Sequence, residues 1–117
     1  MIERRRGRYI GRNKASAYKD LVWTVATASD DSLDLAEQTR ESLAIIEQNL
    51  TELNSDKTRI VSAVVYITRI EDKAIMDAQW NTWIGDNPDH WPQRACVAVQ
   101  LAGNTLVEIT VQAIRKV

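Results

Sequence analysis

Arg94 and Cys96 stand two residues apart in "HWPQRACVAV", residues 90–99, a run of small and β-branched residues that reads as a buried strand. Side chains alternate along a strand, so the two share one face. An arginine at the mouth of such a strand calls for an anion. Its rigid fork of donors fits a carboxylate bidentately, and burying it without a partner is costly. That anion is either a bound ligand or a carboxylate reached across an interface between copies of the chain. Cys96 reads either as a small buried hydrophobe or as a reactive thiol.

Glu108 belongs to a second strand, "TLVEITVQAI", in which Val107, Ile109, Val111 and Ala113 alternate with Glu108, Thr110 and Gln112. One face is apolar and the other polar. A carboxylate on the polar face can orient a water or handle a proton; the alternative is a solvated side chain. His90 is the sole histidine, and beside Trp91-Pro92 it reads as structural rather than as a metal ligand. There is no glycine-rich phosphate loop and no Ser-His-Asp set. The expectation is chemistry without metal or cofactor.

These residues need elements to hold them. Thr39, Leu43, Ile46, Leu50 and Leu53 step by four and three, which predicts a helix from about Leu33 to Leu53. Asp30, Asp31 and Ser32 are its capping candidates. The Asn49-Leu50-Thr51 sequon falls inside this helix. A second helix starts near Asp72, with Ile75, Ala78, Gln79, Thr82 and Trp83 on one side, and stops at Gly85 and Pro88. "ASAYKDLVWTVATA" suggests a tight turn at Lys19-Asp20 and a strand from Leu21; "TRIVSAVVYITR" is strongly β-forming. "RACVAVQL" and "TLVEITVQAI", separated by Ala102-Gly103-Asn104, suggest a hairpin. Residues near the chain start are expected to add a further strand. Two helices on one face leave the other sheet face bare, and other copies of the chain are the economical cover.

A length of 117 residues fits one domain, 1–117, and 44% hydrophobic with 26% charged residues is ordinary globular composition. No apolar run approaches the roughly 20 residues of a membrane span. The single cysteine agrees with a reducing compartment, so a cytoplasmic location is expected. Charge is uneven. Residues 1–14 carry six cations against Glu3, so a net charge of −1 leaves −6 on the remainder. The basic segment reads as a solvated edge strand whose charges discourage pairing, or as an arm for nucleic acid.

"PQRACVAVQLAGNTLVEITVQAI" resembles the C-terminal signature of the Rid family, the reactive intermediate deaminases or YjgF-like proteins. "LAEQTRESLAIIEQNLTEL" resembles that family's first helix, with its Gln-Thr pair. "IVSAVVYITRIEDKAIMDAQWNTWI" resembles its following strand and second helix. The resemblance covers about residues 20–115. It implies an α+β, chorismate-mutase-like fold: a six-stranded mixed sheet with two helices on one face, and homotrimers with a central barrel and pockets between subunits. It further implies hydrolysis of enamines and imines such as 2-aminoacrylate to 2-keto acids and ammonia. Arg94 then holds the substrate carboxylate, Cys96 lines the pocket, and Glu108 places water. Trp91 walls the pocket, because an aromatic often precedes the family's Pro-x-Arg.

Two positions depart from the archetypal subgroup. Its Ser-Gly-Gln-like turn is replaced by "TVATAS", with Ala26 where the glycine stands and Thr27 beside it in the substrate-binding turn. Its pocket tyrosine aligns near Arg12; Tyr9 and Tyr18 are the nearby substitutes, and neither is assigned. The alternative functions are a non-catalytic trimer that binds a small carboxylate and, disfavoured by the acidic body, an RNA-binding or endoribonuclease protein.

Overall fold

The computed structural model describes residues 1–116. Six strands and two helices follow one another as β1 Glu3–Arg6, β2 Asn13–Tyr18, β3 Leu21–Ala26, α1 Leu35–Glu52, β4 Ile60–Ile67, α2 Lys73–Ile84, β5 Gln93–Ala98 and β6 Val107–Ile114. The strands form one sheet in the order β1-β2-β3-β6-β4-β5. Among the described residues, only the β4–β5 pair is parallel, because α2 crosses between them. This is the mixed sheet with two helices that the family resemblance implies.

The core lies between the helices and one sheet face. Val22, Val65, Ile67, Val107, Ile109 and Ala113 point into it from the strands, and Leu43, Ile46 and Leu50 meet them from α1. The alternation read in the last strand is therefore the real division of its faces. On the bare face, Leu21, Trp23, Val97 and Ile114 remain exposed. The basic segment contributes β1, an edge strand of the sheet. Lys19, at φ 53, closes the predicted β2–β3 turn. The Asn49 of the sequon is buried and donates to Thr24 Oγ1 at 3.0 Å.

Three expectations need correction. First, β5 and β6 do not form a hairpin. Their connection reverses at Ala102, whose carbonyl accepts from Thr105 N at 3.1 Å. It then carries the chain across the end of β4, where Val99 N donates to Ile67 O (2.9 Å) and Thr68 N to Leu106 O (3.3 Å). β6, with four buried residues on one face, takes the central slot between β3 and β4. Second, α1 is capped by Asp34, which accepts from Glu37 N at 2.9 Å, not by Asp30, Asp31 or Ser32. Asp30 instead closes a local turn onto Ser32. Third, α2 buries Met76, Trp80 and Ile84, a stripe stepping by four, while Ile75 is 46% exposed. Trp83 is half-buried at the α1 seam, donating to Glu47 Oε1 at 2.9 Å.

Candidate functional site

Arg94 lies on β5 in register with Ala63 of β4, on the helix side of the sheet. α2 presents one flank to this arginine. Lys73, Met76, Asp77 and Trp80 follow the helical repeat, so all four lie on one flank. Arg94 Nη2 donates to Asp77 Oδ1 at 2.6 Å, and Lys73 Nζ holds Asp77 Oδ2 at 2.7 Å. The guanidinium carbon stands 5.1 Å from the centre of the Trp80 ring, and Nη1 approaches Met76 Sδ at 3.8 Å. The carboxylate thus fixes the direction of the fork, and the aromatic ring lies against its charge.

The Arg94 side chain is 18% exposed and Asp77 26%. Burial alone would raise the Asp77 carboxyl, but hydrogen bonds and charge from Lys73 and Arg94 outweigh it and hold it below its ordinary value. The cluster has two cations to one carboxylate, so it keeps a net positive charge. Arg94 Nε has no hydrogen-bond partner among the described residues. The expected anion is therefore already present in part, supplied by this chain's own Asp77.

Cys96 follows Arg94 on the same face, opposite Val65, and packs against the core. Burial raises its thiol above the ordinary value, and the nearby Arg94 and Lys73 only partly offset this. Cys96 is thus a protonated, weakly nucleophilic thiol at neutral pH.

Glu108 is elsewhere. It alternates with the buried residues of β6 and so faces the bare side of the sheet, opposite to Arg94. It lines a groove of about 740 Å³ bounded by Arg6, Arg8, Tyr9, Arg12 and Lys14 from the N-terminal segment and by Ala26 and Thr27 at the end of β3. Its carboxylate takes no ion pair or side-chain hydrogen bond among the described residues. Ala26 keeps a negative φ, so alanine costs no strain at that turn.

Glu108, Ala26 and Thr27 are therefore brought together, as are Arg94 and Cys96, but a single chain does not unite the two groups. Trp91 belongs neither to the groove wall nor to the contacts around Arg94. It is half exposed on the loop before β5, its Nε1 donating to Gly85 O at 2.8 Å. Of the two candidate tyrosines, Tyr9 lies in the groove and Tyr18 on the β2–β3 turn. Sequence reasoning missed Asp77 and Trp80 as partners of Arg94. The Lys73–Asp77 spacing of four was the available signal, but nothing local tells which strand that flank will cover. Among the described residues, no cluster of His, Cys, Asp and Glu is placed to hold a metal, and no helix is long and apolar enough to cross a membrane.

Known proteins share this architecture. The family described as endoribonuclease L-PSP matches residues 24–115. A RutC family protein of Haemophilus ducreyi is 36% identical over 86 residues, covering 73% of this chain and 72% of the relative. The crystal structure of a YjgF family member from Neisseria meningitidis superposes with a TM-score of 0.91 at 29% identity, covering 100% of this chain and 97% of that one. A Pseudomonas aeruginosa crystal structure gives 0.89 at 28% identity, covering 99% and 100%. With a matching sequence profile over most of its length and the same fold, the chain belongs to the endoribonuclease L-PSP family, the YjgF/Rid superfamily.

Proposed function

We propose that the protein hydrolyses small imines and enamines of the 2-aminoacrylate type to 2-keto acids and ammonia. In this reading it works as a homotrimer whose clefts join Arg94 of one subunit to the Glu108 groove of the next. The observation that carries it is the held guanidinium: Asp77 fixes the fork of Arg94 and Trp80 lies against its charge, yet the cluster keeps a net positive charge to attract a carboxylate. The bare sheet face with Trp23 and Val97 supports assembly, because a lone chain would leave this apolar surface wet.

The chemistry asks for positioning and proton handling. The enamine takes a proton at carbon and becomes an imine. Water adds to the C=N carbon, and its oxygen becomes the keto oxygen as the C–N bond breaks and ammonia leaves. Arg94 holds the carboxylate, and Glu108 accepts a proton from the attacking water and returns it to the departing nitrogen. Cys96 is a wall of the cleft, since its raised thiol pKa makes it a poor nucleophile.

A lyase dependent on pyridoxal phosphate can generate 2-aminoacrylate in situ while keto-acid release is followed. Wild type is expected to accelerate release, and Arg94→Ala to abolish the acceleration with the assembly intact. Unchanged turnover in Arg94→Ala would remove Arg94 from the reaction. No acceleration by an assembled wild type that still binds 2-ketobutyrate would favour a carboxylate-binding trimer.

A further inference from the structure

Arg8 and Arg12 lie between β1 and β2, outside any strand, so edge protection does not account for them. Both guanidinium carbons lie over one ring: Arg8 is 5.0 Å and Arg12 4.3 Å from the centre of Tyr9. The π face of a ring attracts a cation without accepting its N–H donors in ordinary hydrogen bonds. Neither arginine has an ion pair or side-chain hydrogen bond among the described residues, and the same holds for Arg6. Lys14 is different, being paired with Glu52 at 2.9 Å.

Among the described residues, the groove walls hold these three unpaired arginines against one carboxylate, Glu108. A smaller adjoining hollow adds Asp31, which makes no ion pair with Arg8. If the substrate carboxylate is taken by Arg94 of the neighbouring subunit, the arginine side of the groove is still unbalanced. Its volume of about 740 Å³ lies in the usual range for a small-molecule site.

We infer that the Arg8–Tyr9–Arg12 cluster is a second anion subsite, and that the preferred substrates carry an acidic group besides the carboxylate held by Arg94. The inference rests on the proposed reading of Arg94 and adds a substrate class to it: imines of acids with two anionic ends. The second group is a carboxylate or a phosphorus oxyanion, since both fit a guanidinium fork. A polynucleotide is the weaker match. The groove has one aromatic ring where strand binding uses several, and the chain beyond residue 14 carries −6.

The test is calorimetry on the full-length protein with three keto-acid probes: 2-ketobutyrate, 2-ketoglutarate and phosphonopyruvate. The wild type is expected to bind one or both dianionic probes at least about tenfold tighter than 2-ketobutyrate, and their order identifies the second group. The double variant Arg8→Gln/Arg12→Gln should bring that ratio near one. Tyr9→Phe keeps the ring and should keep the preference; Tyr9→Ser should weaken it. Equal affinities in the wild type, or a preference that survives in the double variant, would overturn the subsite and leave the role of Arg94 standing. If Arg94→Ala leaves all three affinities unchanged, the reading of Arg94 fails and the two-ended inference fails with it. An RNA oligomer that displaces 2-ketoglutarate, with affinity falling steeply in salt, would reassign the cluster to nucleic acid.

Discussion

Asp77 decides what Arg94 can do. A carboxylate 2.6 Å away neutralises part of the guanidinium while fixing its direction, and Lys73 restores the positive balance. The Asp77 carboxyl is held below its ordinary value, so the folded state takes up its proton less readily than the unfolded chain. The resulting stability is fully present above about pH 4, the unfolded value, and is lost as pH falls through the lower folded value. Asp77→Asn should therefore cost about 1 kcal/mol at pH 7. In urea titrations that deficit should shrink steadily below about pH 4. A deficit independent of pH would mean that the carboxylate charge is not what the pair contributes. Cys96 gives a second outcome at this scale. With its thiol raised by burial, alkylation by iodoacetamide at pH 7 should be slower than that of free cysteine, and Cys96→Ala should retain turnover. Rapid labelling at neutral pH would contradict this.

At the scale of elements, Gln38 holds the connection that sends β6 to the centre of the sheet. Its side-chain amide donates to Leu33 O at 2.9 Å and Asn104 O at 3.1 Å, and its carbonyl accepts from Leu106 N at 2.8 Å. The residue is completely buried. This gives the Gln-Thr pair of α1 a physical meaning: Gln38 ties the helix start to the β5–β6 crossover, and Thr39 bonds back to Leu35 O at 2.7 Å. Gln38→Ala leaves buried backbone groups unpaired, which costs roughly 1–3 kcal/mol for each group that water does not reach. A loss of about 3 kcal/mol in urea unfolding is expected. Because the loop leads directly into the strand of Glu108, turnover should fall even where the variant remains folded. A change below about 0.5 kcal/mol would show that water replaces the amide without cost.

The whole molecule presents an imbalance. One sheet face is covered by α1 and α2, while Leu21, Trp23, Val97 and Ile114 leave the other apolar and open. A charge in the middle of that face should be tolerated by a monomer and not by an assembly. Trp23→Glu is expected to shift the protein from an oligomer to a folded monomer in sedimentation velocity, with unchanged helical circular dichroism and with turnover lost. A variant that remains oligomeric would place the interface elsewhere. Turnover by the monomer would mean that one chain suffices for the site, against the cleft proposed between subunits.

Periodicity already carried much of this protein. The spacing of Thr39, Leu43, Ile46, Leu50 and Leu53 placed α1, and the alternation of Val107 to Ala113 divided the faces of β6, because each pattern reports which side of a local element avoids water. Strand alternation likewise put Arg94 and Cys96 on one face. Tertiary structure alone decided three things. It moved the buried stripe of α2 to Met76, Trp80 and Ile84, since which flank faces the sheet depends on where α1 already lies. It replaced the β5–β6 hairpin by a crossover, since the turn at Ala102 reverses the chain without choosing a neighbour. It also put Arg94 beside Asp77, and Glu108 beside Arg8, Tyr9 and Arg12, pairs that are distant or unpatterned along the chain. Local sequence encodes which face a side chain takes; what it meets across that face is set by how the elements pack.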